Sequence, residues 1–377
     1  MSIFPLSPLI ILLSGIFSTV VIGYGSYYVI GWFNGTTVLT SLLLVSIGML
    51  VFSLLGRYFI LLLLARPGKN EPTEARSREL QRIRQEDGTE IHVEFYGPAD
   101  GQPVIFTHGW NASSTHWYYV KEALADEFRL ILWDILGTGK SGKVPDGDYS
   151  MEKLATSLTA VLDLVKTKPA IIFGHSMGGM ILLTFCRLFP EYLGTRVCGI
   201  GLANTTPTNP VSTAPGKSIL RVLQKPILEP LLYLMIGLWP IVWIQNWLSF
   251  LNGTSHIIAR FSSFAGRQTL GQLDYATYLS SWVSPAVLAR QMLGMMHYTA
   301  LEVLPQIHSP TLIISANIDR ATPTEASRYM NEQIEGSELV VLATSGHLSM
   351  MEQHQQFVDA VTNFIHQCHQ CIPSPNR

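Results

Sequence analysis

Gly174-His175-Ser176-Met177-Gly178 follows an apolar run, Pro169 to Phe173, and opens a stretch with helical periodicity. That placement puts Ser176 on a forced strand-to-helix turn. A Cβ two residues before or after the serine would clash with the neighbouring strand and helix, so Gly174 and Gly178 are glycines. The turn lifts the hydroxyl clear of the sheet. The helix that follows aims its positive end and unpaired N–H groups at whatever binds there. Taken alone the pattern is a common glycine-serine turn; the segments around it carry the assignment.

Pro103 to Thr107 reads as a buried strand that ends at His108-Gly109-Trp110. Pro310 to Asn317 reads as another, with Asp319 just past its end; Glu338 to Leu342 reads as a further strand, followed by Ser345-Gly346-His347 on a loop. The chain order is therefore nucleophile, acid, histidine, each placed after a strand. This arrangement resembles the α/β-hydrolase fold over about residues 85 to 367. The resemblance implies an α/β architecture: a doubly wound, mostly parallel sheet with a helical cap inserted. The order Ser, Asp, His belongs to that fold, and other triad folds use other orders.

Within that resemblance Ser176, Asp319 and His347 form the expected catalytic set. Ser176 needs a base to take its proton as it attacks a carbonyl. His347 is the expected base, and Asp319 would hold its imidazole in the productive tautomer. The oxyanion would meet backbone N–H groups, those of Met177 and Trp110. His108, Gly109, Gly174 and Gly178 are expected to support that loop and turn. His175 reads as a packed neighbour or as part of the acyl pocket. Asp319 has a structural alternative, capping a helix that begins near Thr322-Pro323.

Asp134 also follows a strand, Leu130 to Trp133, but precedes the nucleophile. Asp134-Ile-Leu-Gly137-Thr-Gly139-Lys-Ser141 resembles the D-x-x-G-x-G-x-S turn of the same family and is read as structural. Gly137-Thr138-Gly139-Lys140-Ser141 imitates the end of a phosphate-binding loop. That loop requires a glycine where Asp134 stands, and a carboxylate there would repel a triphosphate. A serine rather than an aspartate at the elbow implies acyl transfer, on esters, thioesters or peracids.

The first fifty-six residues contain no Asp, Glu, Lys, Arg or His. Pro8 to Trp32 and Val38 to Leu55 are nearly continuous apolar runs, and the second extends past Arg57 to Leu64 on a longer reading. Each is long enough for a bilayer core, which takes about 20 helical residues. Phe33 to Thr37 reads as the turn of a hairpin, with a threonine N-cap. Gly15, Gly23, Gly25 and Ser41 would let its two helices approach closely. A cleaved signal peptide fits poorly, because there is no basic leading segment. Arg66, Lys69, Arg76, Arg78, Arg82 and Arg84 follow the second helix. The positive-inside rule then places both the N-terminus and the C-terminal domain in the cytoplasm. Arg57 is expected to snorkel or to mark the helix end.

The chain is 47% hydrophobic and 14% charged with a net charge of −2, which agrees with a membrane protein and argues against nucleic-acid binding. Glu71 to Gln85 reads as a charged linker with helical potential. Asp87-Gly88 turns the chain into Glu90 to Phe95, read as an antiparallel edge strand. Ser150 caps a helix, and a closing helix runs from near Met351 to His366. Pro230 to Ala259 carries no charged side chain, and Trp239, Trp243 and Trp247 lie four apart on one helical face. That helix reads as a cap packing its aromatics on the site, as an interfacial helix, or as a third span. Cys368-His-Gln-Cys371 has ligand-like spacing, but a metal site needs about four ligands and none is expected here. No cofactor is called for.

The expected organisation is a transmembrane hairpin over 1–66, hydrolase core over 67–205 and 301–367, a helical cap over 206–300 and a flexible tail over 368–377. The expected activity is a membrane-anchored carboxylic ester hydrolase whose partners are a lipophilic ester and membrane lipid. The alternatives are an acyltransferase or perhydrolase on the same triad, and a non-catalytic membrane scaffold.

Overall fold

The structure, a computed structural model, describes residues 7–36, 39–165, 168–213 and 216–370. The chain opens with two helices, α1 (Ser7–Phe33) and α2 (Thr40–Leu64), both long and apolar enough to cross a membrane. The second follows the longer of its two readings. Thr37 lies outside the described residues, and α2 starts from Leu39 with no side-chain cap. The small residues divide their work differently from expectation. A Cβ on Gly25 would meet Leu50 of α2 at 2.9 Å, whereas one on Gly15 would meet Gln245, far along the chain, and one on Gly23 would meet nothing. Ser41 is exposed.

The linker forms no helix. It runs extended into β1 (Leu80–Arg84), which pairs antiparallel with β2 (Glu90–Tyr96) through the expected Asp87-Gly88 turn. Pairing sets Ile83 opposite Ile91, so the outermost strand is β1 and not β2. A helix would have left Ile83 without that apolar neighbour.

Next come β3 (Pro103–Thr107), α3 (Tyr118–Leu124), β4 (Arg129–Trp133), α4 (Met151–Leu162), β5 (Ala170–His175), α5 (Met177–Leu188) and β6 (Val197–Ala203). Ser150 caps α4 through a bond from Lys153 N. Seven helices follow: α6 (Pro210–Thr213), α7 (Lys217–Leu223), α8 (Glu229–Gly237), α9 (Trp239–Leu251), α10 (Thr254–Ser262), α11 (Leu270–Trp282) and α12 (Pro285–Met296). The chain closes with β7 (Thr311–Ala316), α13 (Thr324–Gln333), β8 (Glu338–Leu342), α14 (Ser349–Glu352) and α15 (His354–Gln370). Because α15 continues through Gln370, Cys368 is a buried core residue and not part of a tail. Cys371 lies outside the described residues.

The eight strands form one sheet in the order β1-β2-β4-β3-β5-β6-β7-β8, parallel from β4 to β8, which is the α/β-hydrolase fold. Alternation sends Ile105, Ile131 and Ile172 to one face, under α4 and α5, and Phe106, Leu132 and Phe173 to the other, under α3 and α15. Burial on both faces explains why these strands read as continuous apolar runs.

The helices between β6 and β7 are bent by 97° where α8 meets α9, which rules out a straight third span. The α9 tryptophans do not face the nucleophile. Trp243 Nε1 donates to Ser281 O at 2.9 Å, and Trp247 packs edge-on against Trp282 with ring centres 5.3 Å apart, both on α11. The junction of α9 and α10 docks on the hairpin: Asn252, just past α9, donates from Nδ2 to Ser18 Oγ at 2.7 Å, and Ser14 Oγ donates to Thr254 Oγ1 of α10 at 2.7 Å. Arg57 does not mark the helix end. It sits inside α2, stacks 4.6 Å over the Phe250 ring and lies 3.8 Å from Asp274 of α11, so it joins the second helix to the cap.

Candidate active site

Ser176 caps the tip of β5 with φ 54° and ψ −120°, a conformation that side-chain-bearing residues rarely hold and that costs about 1–3 kcal/mol. The surroundings impose it. Ser176 N donates to Ala203 O at 3.0 Å, and Thr205 Oγ1 donates to Ser176 O at 2.7 Å. The flanking glycines are required by space. A Cβ on Gly174 would lie 2.5 Å from Gly178 C, and one on Gly178 would lie 2.6 Å from His108 O and closer still to Thr107 O.

Loops after β7 and β8 bring the other two residues to the serine. His347 Nε2 lies 2.9 Å from Ser176 Oγ, and His347 Nδ1 lies 2.8 Å from Asp319 Oδ2. The carboxylate accepts a hydrogen bond from Nδ1–H, which leaves Nε2 free to accept from the hydroxyl. Burial pushes the Asp319 carboxyl up, but His347 and the donors of Thr322 outweigh it and hold the group below its usual range. Asp319 Oδ1 accepts from Ala321 N at 2.8 Å and Thr322 N at 2.9 Å, and Oδ2 from Asn204 Nδ2 at 2.9 Å. It does not cap α13, whose N-cap is Pro323.

The supporting residues surround this line. His108 Nε2 accepts from Ile135 N at 3.0 Å, so its Nδ1 carries the proton and donates to Gly109 O at 2.8 Å. A Cβ on Gly109 would lie 2.8 Å from His175 Nδ1 and 3.1 Å from Ser176 Cβ, so glycine keeps the space beside the nucleophile open. Met177 is the first residue of α5, where helix N–H groups have no intrahelical partner. Trp110 borders the same cavity, and its indole donates to Leu288 O at 3.0 Å. His175 Nε2 donates to His347 O at 2.9 Å, so this neighbour ties the main chain of the base to β5.

Asp134 sits apart from the line. Its carboxylate accepts from Ser114 N at 2.7 Å and Lys140 N at 2.8 Å and pairs with Arg76 at 3.1 Å, which fits a structural role. Two residues that anchor the site carried no signal in the sequence. Asn204 holds Asp319, and the Glu352 carboxylate accepts from the N–H groups of Ala265, Gly266, Arg267 and Gly346, tying the His347 loop to the cap. Each depends on contacts between distant parts of the chain, so no local pattern marks it. Among the described residues no group of three or more His, Cys, Asp or Glu side chains is placed to hold a metal ion.

The serine opens on a cavity of about 170 Å³. Ile11 of α1, Met235 of α8 and Ile258 of α10 supply apolar wall, and Asn111, His116 and His175 supply polar wall. A hydroxyl hydrogen-bonded to a neutral imidazole, itself held by a buried carboxylate, can lose its proton as it attacks a carbonyl carbon.

Residues 104–360 match the model of the Alpha/beta hydrolase family. A protein of Pseudomonas syringae designated a carbamate hydrolase, RutD, is 26% identical over 71% of this chain and 95% of its own length. Among solved structures, an esterase from Exiguobacterium antarcticum is 24% identical with a TM-score of 0.59, covering 76% of this chain and 99% of that one. The esterase RhEst1 from Rhodococcus is 21% identical with a TM-score of 0.62, covering 77% and 99%. At these identities the solved structures share the fold. The two apolar helices, β1 and β2 all precede the matched residues.

Proposed function

The chain belongs to the alpha/beta hydrolase family, and from that premise we propose that it is a membrane-anchored hydrolase of lipophilic carboxylic esters. Ser176 attacks the ester carbonyl while His347 takes the hydroxyl proton, and Asp319 stabilises the imidazolium that forms. The N–H groups of Met177 and Trp110 receive the oxyanion. The proton then passes from His347 to the departing alkoxide, leaving an acyl-enzyme. Water, deprotonated by the same imidazole, releases the acid and restores the serine.

One observation carries the choice of a lipophilic substrate: Ile11, on the first of the two apolar helices, lines the same cavity as Ser176. A pocket walled in part by such a helix favours an acyl or alkyl chain. The carbamate hydrolase relatives point to the same first step, attack on a carbonyl, with a different leaving group. Anchoring rests on the exposed apolar surfaces of α1 and α2, among them Phe17, Leu44, Phe52 and Leu62, and the basic residues from Arg66 to Arg84 favour a cytoplasmic catalytic unit.

The test is fluorophosphonate labelling of membranes holding wild type or Ser176→Ala, followed by a p-nitrophenyl ester chain-length series. Labelling of wild type alone, with rates that rise toward medium and long chains, is expected. Folded wild type that takes no label overturns the proposal. A cysteine at Asn34 that reacts only from the cytoplasmic side would reverse the orientation.

A further inference from the structure

His116 is fully enclosed on a short turn, Ser114–Trp117, and neither of its ring nitrogens has a hydrogen-bond partner among the described residues. The buried Asn111 Oδ1 and His175 Nδ1 share that condition. All three residues line the cavity that holds Ser176. Buried polar atoms are costly when unpaired, so a native fold that gathers them on one wall is complementary to something that enters.

Resting on the ester-hydrolase reading, we infer that Asn111, His116 and His175 form a subsite for free hydroxyl groups on the alcohol portion of the substrate. The donor inventory identifies the class. Asn111 Oδ1 accepts. His175 gives its Nε2 proton to His347 O, so its Nδ1 accepts as well. Burial pushes His116 down to about 3, so its neutral ring offers one acceptor and one donor. Each of the three thus offers an acceptor with no partner among the described residues, which suits O–H groups and repels the bare oxygens of a phosphate. Among the described residues no Asp, Glu, Lys or Arg lines the cavity, so an ionic headgroup would enter without a counter-charge. With Ile11, Met235 and Ile258 taking the chain, the substrate is a partial ester of a polyhydric alcohol carrying one long acyl group.

The experiment compares 1-monooleoylglycerol with propyl oleate, which keeps the acyl chain and the three-carbon alcohol but lacks both hydroxyls. Each is presented to the full-length protein in the same mixed micelles. Wild type is expected to favour the glycerol ester in kcat/KM by about tenfold or more, since unmet buried acceptors penalise the analogue that lacks the hydroxyls. In His116→Leu that ratio should fall to within about twofold of one, and in Asn111→Ala it should fall part of the way. A ratio is independent of how much enzyme is folded, so a purely structural role for His116 would leave it unmoved. Equal cleavage of both esters by wild type, or a full ratio in both variants, overturns the subsite alone. Cleavage of neither ester, together with absent fluorophosphonate labelling, overturns the hydrolase reading and the subsite with it.

Discussion

Ser249 on α9 donates its hydroxyl proton to the main-chain oxygen of Ile11 on α1 at 2.7 Å. The residue that accepts also lines the cavity that holds Ser176. The first apolar helix is therefore a wall of the active site as well as a candidate anchor. Small polar side chains hold this seam, as they do between helices in lipid, where apolar surface gives no preference for protein over solvent.

The seam is close-packed at Gly56, where an added Cβ would lie 2.7 Å from the main-chain oxygen of Asn252. That oxygen belongs to backbone and cannot swing aside. Gly56→Leu should destabilise the protein by about 1–3 kcal/mol, read as a lowered melting temperature in detergent. Gly48→Leu is the control, since nothing lies within 4 Å of a Cβ there. Equal melting of the two variants would show that the helices do not meet at this point.

Asp319→Asn keeps the size of the side chain but replaces a carboxylate oxygen with a donor. His347 is then turned to the tautomer that places a proton on Nε2, where it can no longer accept from Ser176. The expected result is a fall in kcat of about 10⁴ with little change in KM, measured on a p-nitrophenyl ester. A loss below tenfold would point to another acid partner.

Glu352 touches no substrate and acts through position. Its carboxylate receives Gly346 N at 2.9 Å, the residue just before His347. Glu352→Gln turns one of those acceptors into a donor facing N–H groups. We expect kcat to fall by up to about a hundredfold through misplacement of His347, with KM nearly constant. The rate of serine labelling by a fluorophosphonate should fall in parallel, and an unchanged labelling rate would place the effect elsewhere.

Glu94 gives the fold a defined acid sensitivity. Burial works to raise its carboxyl, but bonds from His92, Tyr96 and Arg76 outweigh it and hold the group at about 2. A lowered carboxyl stabilises the fold fully above the ordinary glutamate value, about 4.3, and the contribution disappears as pH falls through about 2. The expected size is of order 3 kcal/mol. Chemical denaturation from pH 7 down to pH 2 should lose this increment in wild type. Glu94→Gln should be less stable at pH 7 and show a flatter curve below pH 5.

The elbow was legible because its requirements are local. A strand, a forced turn and a helix within twenty residues fix where glycine must stand, and Gly174 and Gly178 meet backbone where a Cβ would go. The strand leading to Asp319 was legible as an apolar run buried on both faces, and the one leading to His347 as a short apolar run that forms the half-exposed edge of the sheet. The segment from Glu71 to Gln85 was not, because its charges suit a helix equally well and only pairing of Ile83 with Ile91 decides for a strand.

The sequence by itself determined the two apolar helices and the apolar strands, since each follows from the pattern within one segment, and the resemblance to the α/β-hydrolase fold then pointed to Ser176, Asp319 and His347 on the loops after them. Tertiary structure alone decided that Ile11 meets the cavity, that Arg57 reaches Asp274 and that Trp243 and Trp247 turn toward α11. These are encounters between separate segments, from 38 residues apart for Trp243 and Ser281 to more than two hundred for Arg57 and Asp274. Hydrophobic periodicity says that a face must be covered but not by what, and closure of the whole chain chooses the partner.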